Sequence, residues 1–296
     1  MATEESRNGT VEPLAAEVTA AGGGAGPSTA VPPGRTVRVA NERKKSRYLP
    51  LLSVLSLAVV IFLWWLLTNG THSIAPLKFP SPSEAWNVVT ELKGNLLKAA
   101  WATTWRVLVS WAIGCTLGVA FGLILGRFKV AYYLANPIIE AIRPVPPIAL
   151  IPFIILWFGL GETGRILLGS LCCFMTMVVI TYVAAYNVNP VYLRAARSLG
   201  AGENAVYRTV ILRAIVPQLV GGIRICAALT WAVIVAAEYL TAQNGIGYIL
   251  IQASRTLNTP VVLVGTIIVG FLAFLLERII RLVSSRLTVW VEGNEG

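Results

Sequence analysis

Long apolar runs separated by short polar segments dominate this chain. A helix that crosses the hydrocarbon core of a bilayer needs roughly 20 consecutive, mostly apolar residues. Runs of about this length lie at positions 49–68, 104–125, 135–160, 164–186, 214–237 and 260–283. The pattern predicts an all-α integral membrane protein with six transmembrane helices. An even number of spans also predicts that both termini lie on the same side of the membrane.

The first part of the chain has a different character. It is rich in Ala, Gly, Pro, Thr and Glu and has no apolar periodicity, so it cannot bury enough surface to offset the chain entropy lost on folding. We therefore expect residues 1–47 to form a disordered tail and residues 48–296 to form the transmembrane domain. The apolar run that begins near Tyr48 is not followed by a small-residue cleavage site, which predicts a permanent anchor and not a signal peptide.

Composition and charge indicate the class of protein and its orientation. The chain is 56% hydrophobic and 13% charged, whereas soluble domains carry roughly 25% charged residues. A net charge of +10 would suggest a nucleic-acid partner in a soluble protein, but here we expect none, because the basic residues mark sidedness. The side predicted to be cytoplasmic, which includes both termini and the 190–212 loop, carries Arg35, Arg38, Arg43, Lys44, Lys45, Arg47, Arg127, Lys129, Arg194, Arg197, Arg208, Arg213, Arg281 and Arg286.

The residues that catalysis or metal binding would need are scarce. His72 is the single histidine, and the four cysteines, Cys115, Cys172, Cys173 and Cys226, lie in apolar runs without metal-ligand spacing. No lysine follows a glycine, so a Gly-Lys-Ser/Thr phosphate loop is absent. We expect no metal site, no cofactor and no ATPase site in this chain. A membrane enzyme is disfavoured, since Glu140, Glu238 and Glu277 are the acidic residues that we assign to the spans.

Two spans carry unusual residues. In span two, Gly114, Gly118, Gly122 and Gly126 repeat every four residues, which predicts close contact with another helix. Span three is interrupted by prolines, which remove helix hydrogen bonds. Broken backbone at membrane depth is tolerated when it lines a water-filled cavity or is buried in protein. Span three is therefore interpreted either as a pore wall or gate, with Pro146 and Pro147 as candidate residues, or as a kink that shapes packing.

A polar stretch between spans one and two, Pro80-Ser-Pro-Ser-Glu84, has the form of a helix start. The tryptophans that follow it, Trp86, Trp101 and Trp105, suit a membrane–water interface. We expect an external helix along the membrane at this position.

The polar, Arg-rich segment between spans four and five is the most informative part of the chain. Residues 190–199 predict a short helix, Gly200-Ala-Gly202 predicts a turn, and residues 203–212 predict a second helix that leads into span five. Ala195-Ala196, followed by Gly200 and by Val210-Ile211-Leu212, resembles the EAA loop of permease subunits of bacterial ATP-binding-cassette (ABC) importers. The resemblance implies an ATPase-coupling surface made of Arg194, Ala195, Ala196, Leu199, Gly200, Ala201 and Gly202.

Further motifs are similar to those of the sulfonate/nitrate/taurine branch of these permeases. They are Ser81-Pro-Ser-Glu84-Ala-Trp86, Arg143-Pro-Val-Pro-Pro-Ile148-Ala-Leu-Ile-Pro152, Leu156-Trp-Phe-Gly159-Leu-Gly161, Gly222-Ile-Arg224-Ile and Gly245-Ile-Gly247-Tyr248. The resemblance covers about residues 50–290. It implies a type I ABC importer (MetI-like) permease fold in the bacterial inner membrane.

The same resemblance implies partners and a substrate class. The partners are a second copy of the chain, two ATPase subunits that bind ATP and Mg²⁺, an extracytoplasmic substrate-binding protein, and membrane lipid. The solute is a small anion such as a sulfonate, taurine, nitrate or an aromatic carboxylate. Two departures are Arg194, where the family motif has Glu before Ala-Ala, and Arg213, where it has Pro after Ile-Leu. The reversed charge at Arg194 suggests an ATPase partner with a compensating acid.

Charged residues in the spans are candidates for the pore, because a charge is costly to bury in lipid. Arg224, near the middle of span five, either attracts a passing anion or fixes helix packing through an ion pair or a carbonyl contact. Glu140 and Arg143 either pair with each other, being three residues apart, or form a cytoplasmic gate. Glu238, at the outer end of span five, either caps the pore or contacts the binding protein.

Two alternatives to this function remain at the level of sequence. An autonomous channel or secondary carrier would move solute without ATP and would often carry inverted repeats, and we find none by inspection. An ABC permease for a non-anionic solute, such as an amine or a pyrimidine precursor, would have the same architecture.

Overall fold

The computed structural model describes residues 49–70, 79–241 and 243–287, and the predicted tail at 1–47 lies outside them. One compact unit is Ser53–Gly296, and of the other unit, Met1–Leu52, the structure describes only the beginning of the first helix. The described residues contain helices and no strands, as predicted. The α-helices are α1 (Leu49–Trp65), α2 (Pro82–Glu91), α3 (Lys93–Arg127), α4 (Lys129–Ile142), α5 (Ile151–Phe158), α6 (Glu162–Tyr186), α7 (Pro190–Ser198), α8 (Glu203–Ala205), α9 (Leu212–Thr241), α10 (Ile246–Arg255) and α11 (Thr259–Leu287).

Within the described residues, four helices are long and apolar enough to cross a membrane. They are Lys93–Arg127, Glu162–Tyr186, Glu203–Leu240 and Thr259–Arg286, and they contain predicted spans two, four, five and six. Each helix continues past its apolar run into polar residues, so the predicted boundaries were too narrow. The third of these spans joins α8 to α9 through a π-helical segment, Val206–Ile211, which makes the end of the 190–212 loop continuous with span five.

The predicted third span, 135–160, is broken at its prolines, as the sequence indicated. It consists of α4 and the segment Pro147–Phe158, which meet at an angle of 88°. Pro144, Pro146 and Pro147 lie at the break, where the missing N–H groups and the proline rings prevent a continuous helix. Pro152 lies in the first turn of α5, where no helical hydrogen bond is lost.

The structure describes only part of the first predicted span as an apolar helix. The apolar helical stretch in this region, Ala58–Thr68, is shorter than a full span, so the count of six stays a prediction.

Helix α2 begins with a capping box, in which Ser81 Oγ accepts from Glu84 N at 3.3 Å and Ser81 N donates to Glu84 Oε2 at 2.8 Å. The predicted helix start is thereby confirmed, and its external position stays a prediction. Helix α10 was not predicted.

The glycine repeat of α3 lies directly against α6. A Cβ atom added at Gly114, Gly118 or Gly122 would approach the Cβ atom of a residue on α6 to 2.4, 2.6 or 2.6 Å, well inside van der Waals contact. The facing residues also repeat every four positions: Cys173, Met177, Thr181 and, opposite Gly126, Ala185. Gly222 of α9 lies against Met177 and Ile180 of α6. Helices α3, α6 and α9 therefore form the core of the described fold.

We predict that Gly118→Ala destabilises the protein, because its methyl group would lie 2.9 Å from the Phe174 carbonyl oxygen, which cannot move away as a side chain can. Overpacking of this kind costs about 1–3 kcal/mol. The midpoint of thermal aggregation in detergent measures the effect. Gly270→Ala is the control, since nothing lies within 4 Å of that position in α11. Equal midpoints for the two variants would contradict the close contact between α3 and α6.

Candidate functional site

Helix α7 and the turn after it present the predicted coupling residues on a rigid base. Asn189 Oδ1 accepts from Val191 N at 2.9 Å and so caps the helix start. At the helix end, Gly200 adopts a φ of 82°, Gly200 N donates to Arg197 O at 2.9 Å and Ala201 N donates to Ala196 O at 3.1 Å. This pair of hydrogen bonds is a Schellman cap, which favours glycine at the left-handed position. The predicted turn at 200–202 is confirmed, and Gly200 is the residue that requires it.

The turn is exposed whereas its base is packed. Leu193 contacts the buried cluster around Ile215, which fixes one face of α7 against the bundle. Arg194, Ala195 and Gly202 are exposed, and Ala196 and Ala201 are half-buried. Leu199 is 88% exposed at the tip. The structure thus brings together the seven residues predicted for this surface.

Two contacts tie the loop to the end of α3. Tyr207 donates its hydroxyl hydrogen to the Leu123 carbonyl at 2.6 Å, and Arg127 donates from Nη2 to Asn204 Oδ1. The Arg127 guanidinium also lies 4.9 Å from the centre of the Tyr207 ring. By contrast, the Arg197–Glu203 ion pair across the turn is exposed on both sides and contributes little. The loop is therefore hydrogen-bonded to α3 and continuous with α9.

The bend of the broken span covers a cavity of about 350 Å³. Among the described residues, Arg143 is the only charged one that lines it, and Thr176 contributes a hydroxyl group. Cys172 contributes a thiol. The other lining residues are apolar: Ile139, Ile142, Val145, Pro147, Leu150, Leu171, Met175, Val179, Ile180 and Leu229. The cavity brings Arg143 and Pro147 together, whereas Pro146 is exposed at the bend.

The predicted pairing of Glu140 with Arg143 does not form. No ion pair joins the two among the described residues, and both side chains are exposed. Arg143 keeps helical backbone angles and donates its N–H to Ile139 O at 2.8 Å, so the three-residue spacing is present and the two exposed side chains nevertheless do not pair. Arg143 lines the cavity and Glu140 does not.

The largest buried polar cluster lies at the end of the bundle opposite the 190–212 loop. Arg106 of α3 donates to both carboxylate oxygens of Glu162, the first residue of α6, at 2.6 Å each. The same guanidinium pairs with Glu238 of α9 and donates to the Asn244 carbonyl at 3.0 Å and to the Asn244 side chain. One buried arginine therefore joins α3, α6, α9 and the connection to α10.

Backbone and hydroxyl donors complete the shell around Glu238. Thr103 donates to the carboxylate at 3.0 Å, and Gly247 N donates to Oε2 at 2.9 Å. A Cβ atom at Gly245 would lie 2.5 Å from Glu238 Oε1, so the Gly245-Ile-Gly247 motif allows the chain to pass closely around this carboxylate. Glu238 has no exposed surface. This position fits a packing role better than either the pore cap or the contact with a binding protein that we predicted.

Glu162 is the part of the cluster that reaches the surface, since its side chain is 54% exposed. Arg165 also donates to Glu162 Oε1, at 3.1 Å, so two arginines balance two carboxylates. Sequence reasoning missed Arg106 and Glu162. Arg106 lies near the start of predicted span two, and the rule that singled out Arg224 would have found it there.

Arg224 contacts α11 and not a carboxylate. It is half-buried and donates from Nη2 to Ser284 Oγ at 2.7 Å. The contact connects α9 to α11 through a hydroxyl group, whereas an ion pair or a carbonyl contact was expected for a packing role. The charge remains without a carboxylate partner in the part of the chain described here.

Three cysteines converge where α3, α6 and α9 meet, although their spacing gave no sign of it. The sulfur atoms of Cys115, Cys173 and Cys226 all lie within 4.8 Å of one another and are buried. Thiols are the donor type of soft metal ions. Here, however, Cys173 and Cys226 donate to each other's carbonyl groups at 3.6 and 3.7 Å, and Cys173 also contacts the Thr230 hydroxyl. Cys115 packs in the same buried hydrophobic cluster.

The described structure is a bundle of apolar helices with one broken span, a cavity beneath that span, and an exposed loop that packs against the bundle. These features are those of a membrane transport permease. The chain belongs to the family described as the binding-protein-dependent transport system inner membrane component, which matches residues 118–289. It is therefore a permease subunit of an inner-membrane transport system, as the sequence motifs predicted.

Several named relatives align with this chain over most of its length and most of their own. The taurine transport system permease protein TauC of Escherichia coli strain K12 is 34% identical over 81% of this chain and 89% of its own. The putative aliphatic sulfonates transport permease protein SsuC of Bacillus subtilis strain 168 is 28% identical over 85% of this chain and 92% of its own. The nitrate import permease protein NrtB of Leptolyngbya laminosa is 27% identical over 77% and 84%.

A solved structure agrees with the fold. A chain of the MetNI methionine ABC transporter in an inward-facing conformation superposes with a TM-score of 0.54, at 22% identity, over 65% of this chain and 98% of that chain. The likeness confirms the predicted MetI-like permease fold.

We predict that Glu238→Gln strongly destabilises the protein, because it leaves part of the positive charge of Arg106 buried without its partner. Loss of one member of a buried ion pair costs about 3–5 kcal/mol. The control is Glu277→Gln, which removes the exposed pair with Arg281 and should cost about 0–1 kcal/mol. Thermal aggregation in detergent again gives the comparison. A Glu238 variant as stable as the Glu277 variant would show that the buried cluster does not hold the helices together.

Proposed function

We propose that this chain forms the translocation pathway of an ATP-driven importer for a small anion, with sulfonates, taurine and nitrate as the leading solutes. In this proposal two copies of the chain form the pore. Two ATPase subunits, which bind ATP and Mg²⁺, dock on the 190–212 loops, and an external binding protein delivers the solute. Both termini and the loop face the cytoplasm, in agreement with the distribution of Lys and Arg.

The observation that carries the proposal is the exposed turn on a packed base. Leu199, 88% exposed at the tip of an otherwise polar loop, is in this proposal the apolar anchor that the ATPase covers. The loop is continuous with α9 and is hydrogen-bonded to α3, so an ATPase that moves the tip also moves two core helices. At the far ends of these helices, Arg106 and Glu238 hold them together. The helices therefore respond by tilting about that end.

An anionic solute is favoured by the cavity under the broken span. Its single charged lining residue is cationic, and a guanidinium donates two parallel hydrogen bonds to a sulfonate, carboxylate or nitrate group. The other described walls are largely apolar, so the Arg143 guanidinium supplies the charge that an anion meets there. The relatives whose names mention taurine, aliphatic sulfonates and nitrate support the same class of solute.

We predict that Leu199→Ser reduces the amount of ATPase that co-purifies with the tagged protein by about tenfold, because an interface anchor contributes about 1–2 kcal/mol or more. Leu257→Ser, a change at a side chain that is 65% exposed at the opposite end of the bundle, should leave the recovery of ATPase unchanged.

We predict that Arg194→Glu changes the coupled ATPase rate, and an unchanged rate would remove Arg194 from the contact. Recovery of the protein without an ATPase would contradict the proposal as a whole.

We predict that Arg143→Gln lowers the rate of uptake of an alkylsulfonate by tenfold or more while the amount of co-purified ATPase stays the same. Loss of a charge-assisted hydrogen bond costs about 1.5–3 kcal/mol. The control is Arg286→Gln, an exposed arginine on α11 that lines none of the cavities described here. Uptake is measured in vesicles that contain the complete complex. If both variants transport alike, Arg143 does not contact the solute.

A further inference from the structure

A second cavity lies at the loop end of the bundle. It has a volume of about 510 Å³ and shares no lining residue with the cavity under the bend. The end of α3, the start of α4 and the end of α6 form its walls. The lining residues are Leu125, Gly126, Arg127, Lys129, Tyr132, Tyr133, Tyr182 and Tyr186.

The chemistry of these walls selects an oxyanion. Arg127 and Lys129 supply two positive charges, and four tyrosines supply phenolic donors. The hydroxyl groups of Tyr132 and Tyr182 lie 3.2 Å apart and hydrogen-bond to each other, so one hydroxyl hydrogen of the pair is used and the other is available to a ligand. In the part of the chain that the structure describes, no carboxylate lines the cavity, and Glu140, the acidic residue of α4, is not among its walls. We propose that this cavity binds a phosphate or sulfonate group, carried either by a soluble anion or by a phospholipid headgroup.

The site is connected to the loop through Arg127. Its guanidinium donates to Asn204 at the start of the second loop helix and covers the ring of Tyr207. An oxyanion in the cavity competes with Asn204 for the same donors. This step rests on the proposed function: a bound oxyanion weakens the Arg127–Asn204 contact and so regulates the ATPase-coupling loop.

Lys129 is the residue that tests binding without disturbing the fold. It is exposed and takes part in no ion pair among the described residues. Lys129→Gln therefore removes one positive charge from the cavity and leaves the Arg127–Asn204 contact in place. Tyr182→Phe removes one hydroxyl group and keeps the aromatic ring.

The experiment uses the full-length chain, with whatever proteins co-purify, in nanodiscs. Thermal midpoints are measured in phosphatidylcholine discs with increasing inorganic phosphate or ethanesulfonate, and in discs that contain phosphatidylglycerol without added phosphate. Potassium chloride at equal ionic strength corrects for screening. We expect one of these probes to raise the midpoint. Lys129→Gln should raise the half-saturating concentration about tenfold, Tyr182→Phe should weaken the response, and Arg286→Gln should behave as wild type.

The outcomes separate the two sources of the ligand. A response to phosphate or ethanesulfonate in phosphatidylcholine discs assigns a soluble anion, and a response to phosphatidylglycerol alone assigns a headgroup. No response to any probe, or an equal response in Lys129→Gln and wild type, overturns the site. The readout does not need ATP hydrolysis. Failure of the importer proposal, seen as absence of a co-purified ATPase, is therefore distinguishable from failure of this site.

Discussion

The contact between the backbones of α3 and α6 is the constraint on which the rest of this structure depends. Without side chains at Gly114, Gly118 and Gly122, the two helices approach so closely that a single methyl group would collide with the opposite helix. Membrane helices gain little from burying apolar surface against each other, because lipid is equally apolar, so such close packing supplies much of their association energy. Helix α9 packs on the same frame through Gly222.

The frame has a fixed end and a connected end. At one end, Arg106 joins three helices through Glu162 and Glu238, and removing either carboxylate would leave charge in a buried place. At the other end, Tyr207 and Arg127 join the 190–212 loop to α3. The broken span lies against this frame with proline-interrupted backbone, so its cavity is bordered by a part of the chain that lacks continuous helical hydrogen bonding. A force on the loop therefore acts on a frame that is held at its far end.

Sequence reasoning found the features that are local in the chain. Apolar runs, the proline break, the Ser81 cap and the turn at Gly200 each depend on neighbouring residues, and each appears in the structure. It missed what depends on distant partners: Arg106 lies 56 residues from Glu162 and 132 from Glu238. Glu162 sits between two apolar runs and resembles an ordinary loop residue. The Gly245–Gly247 motif was recognised by resemblance, but its physical reason, the passage around the Glu238 carboxylate, needs the folded chain.

The most direct test of the importer account is the energetics of uptake. The complex purified through a tag on this chain is reconstituted into vesicles with labelled taurine, an alkylsulfonate or nitrate outside, together with the external binding protein that the account requires. The account predicts accumulation above the external concentration when Mg-ATP is present on the side of the 190–212 loop, and none without it. Equilibration of solute without ATP, unaffected by Leu199→Ser, would contradict it and would indicate a channel or carrier.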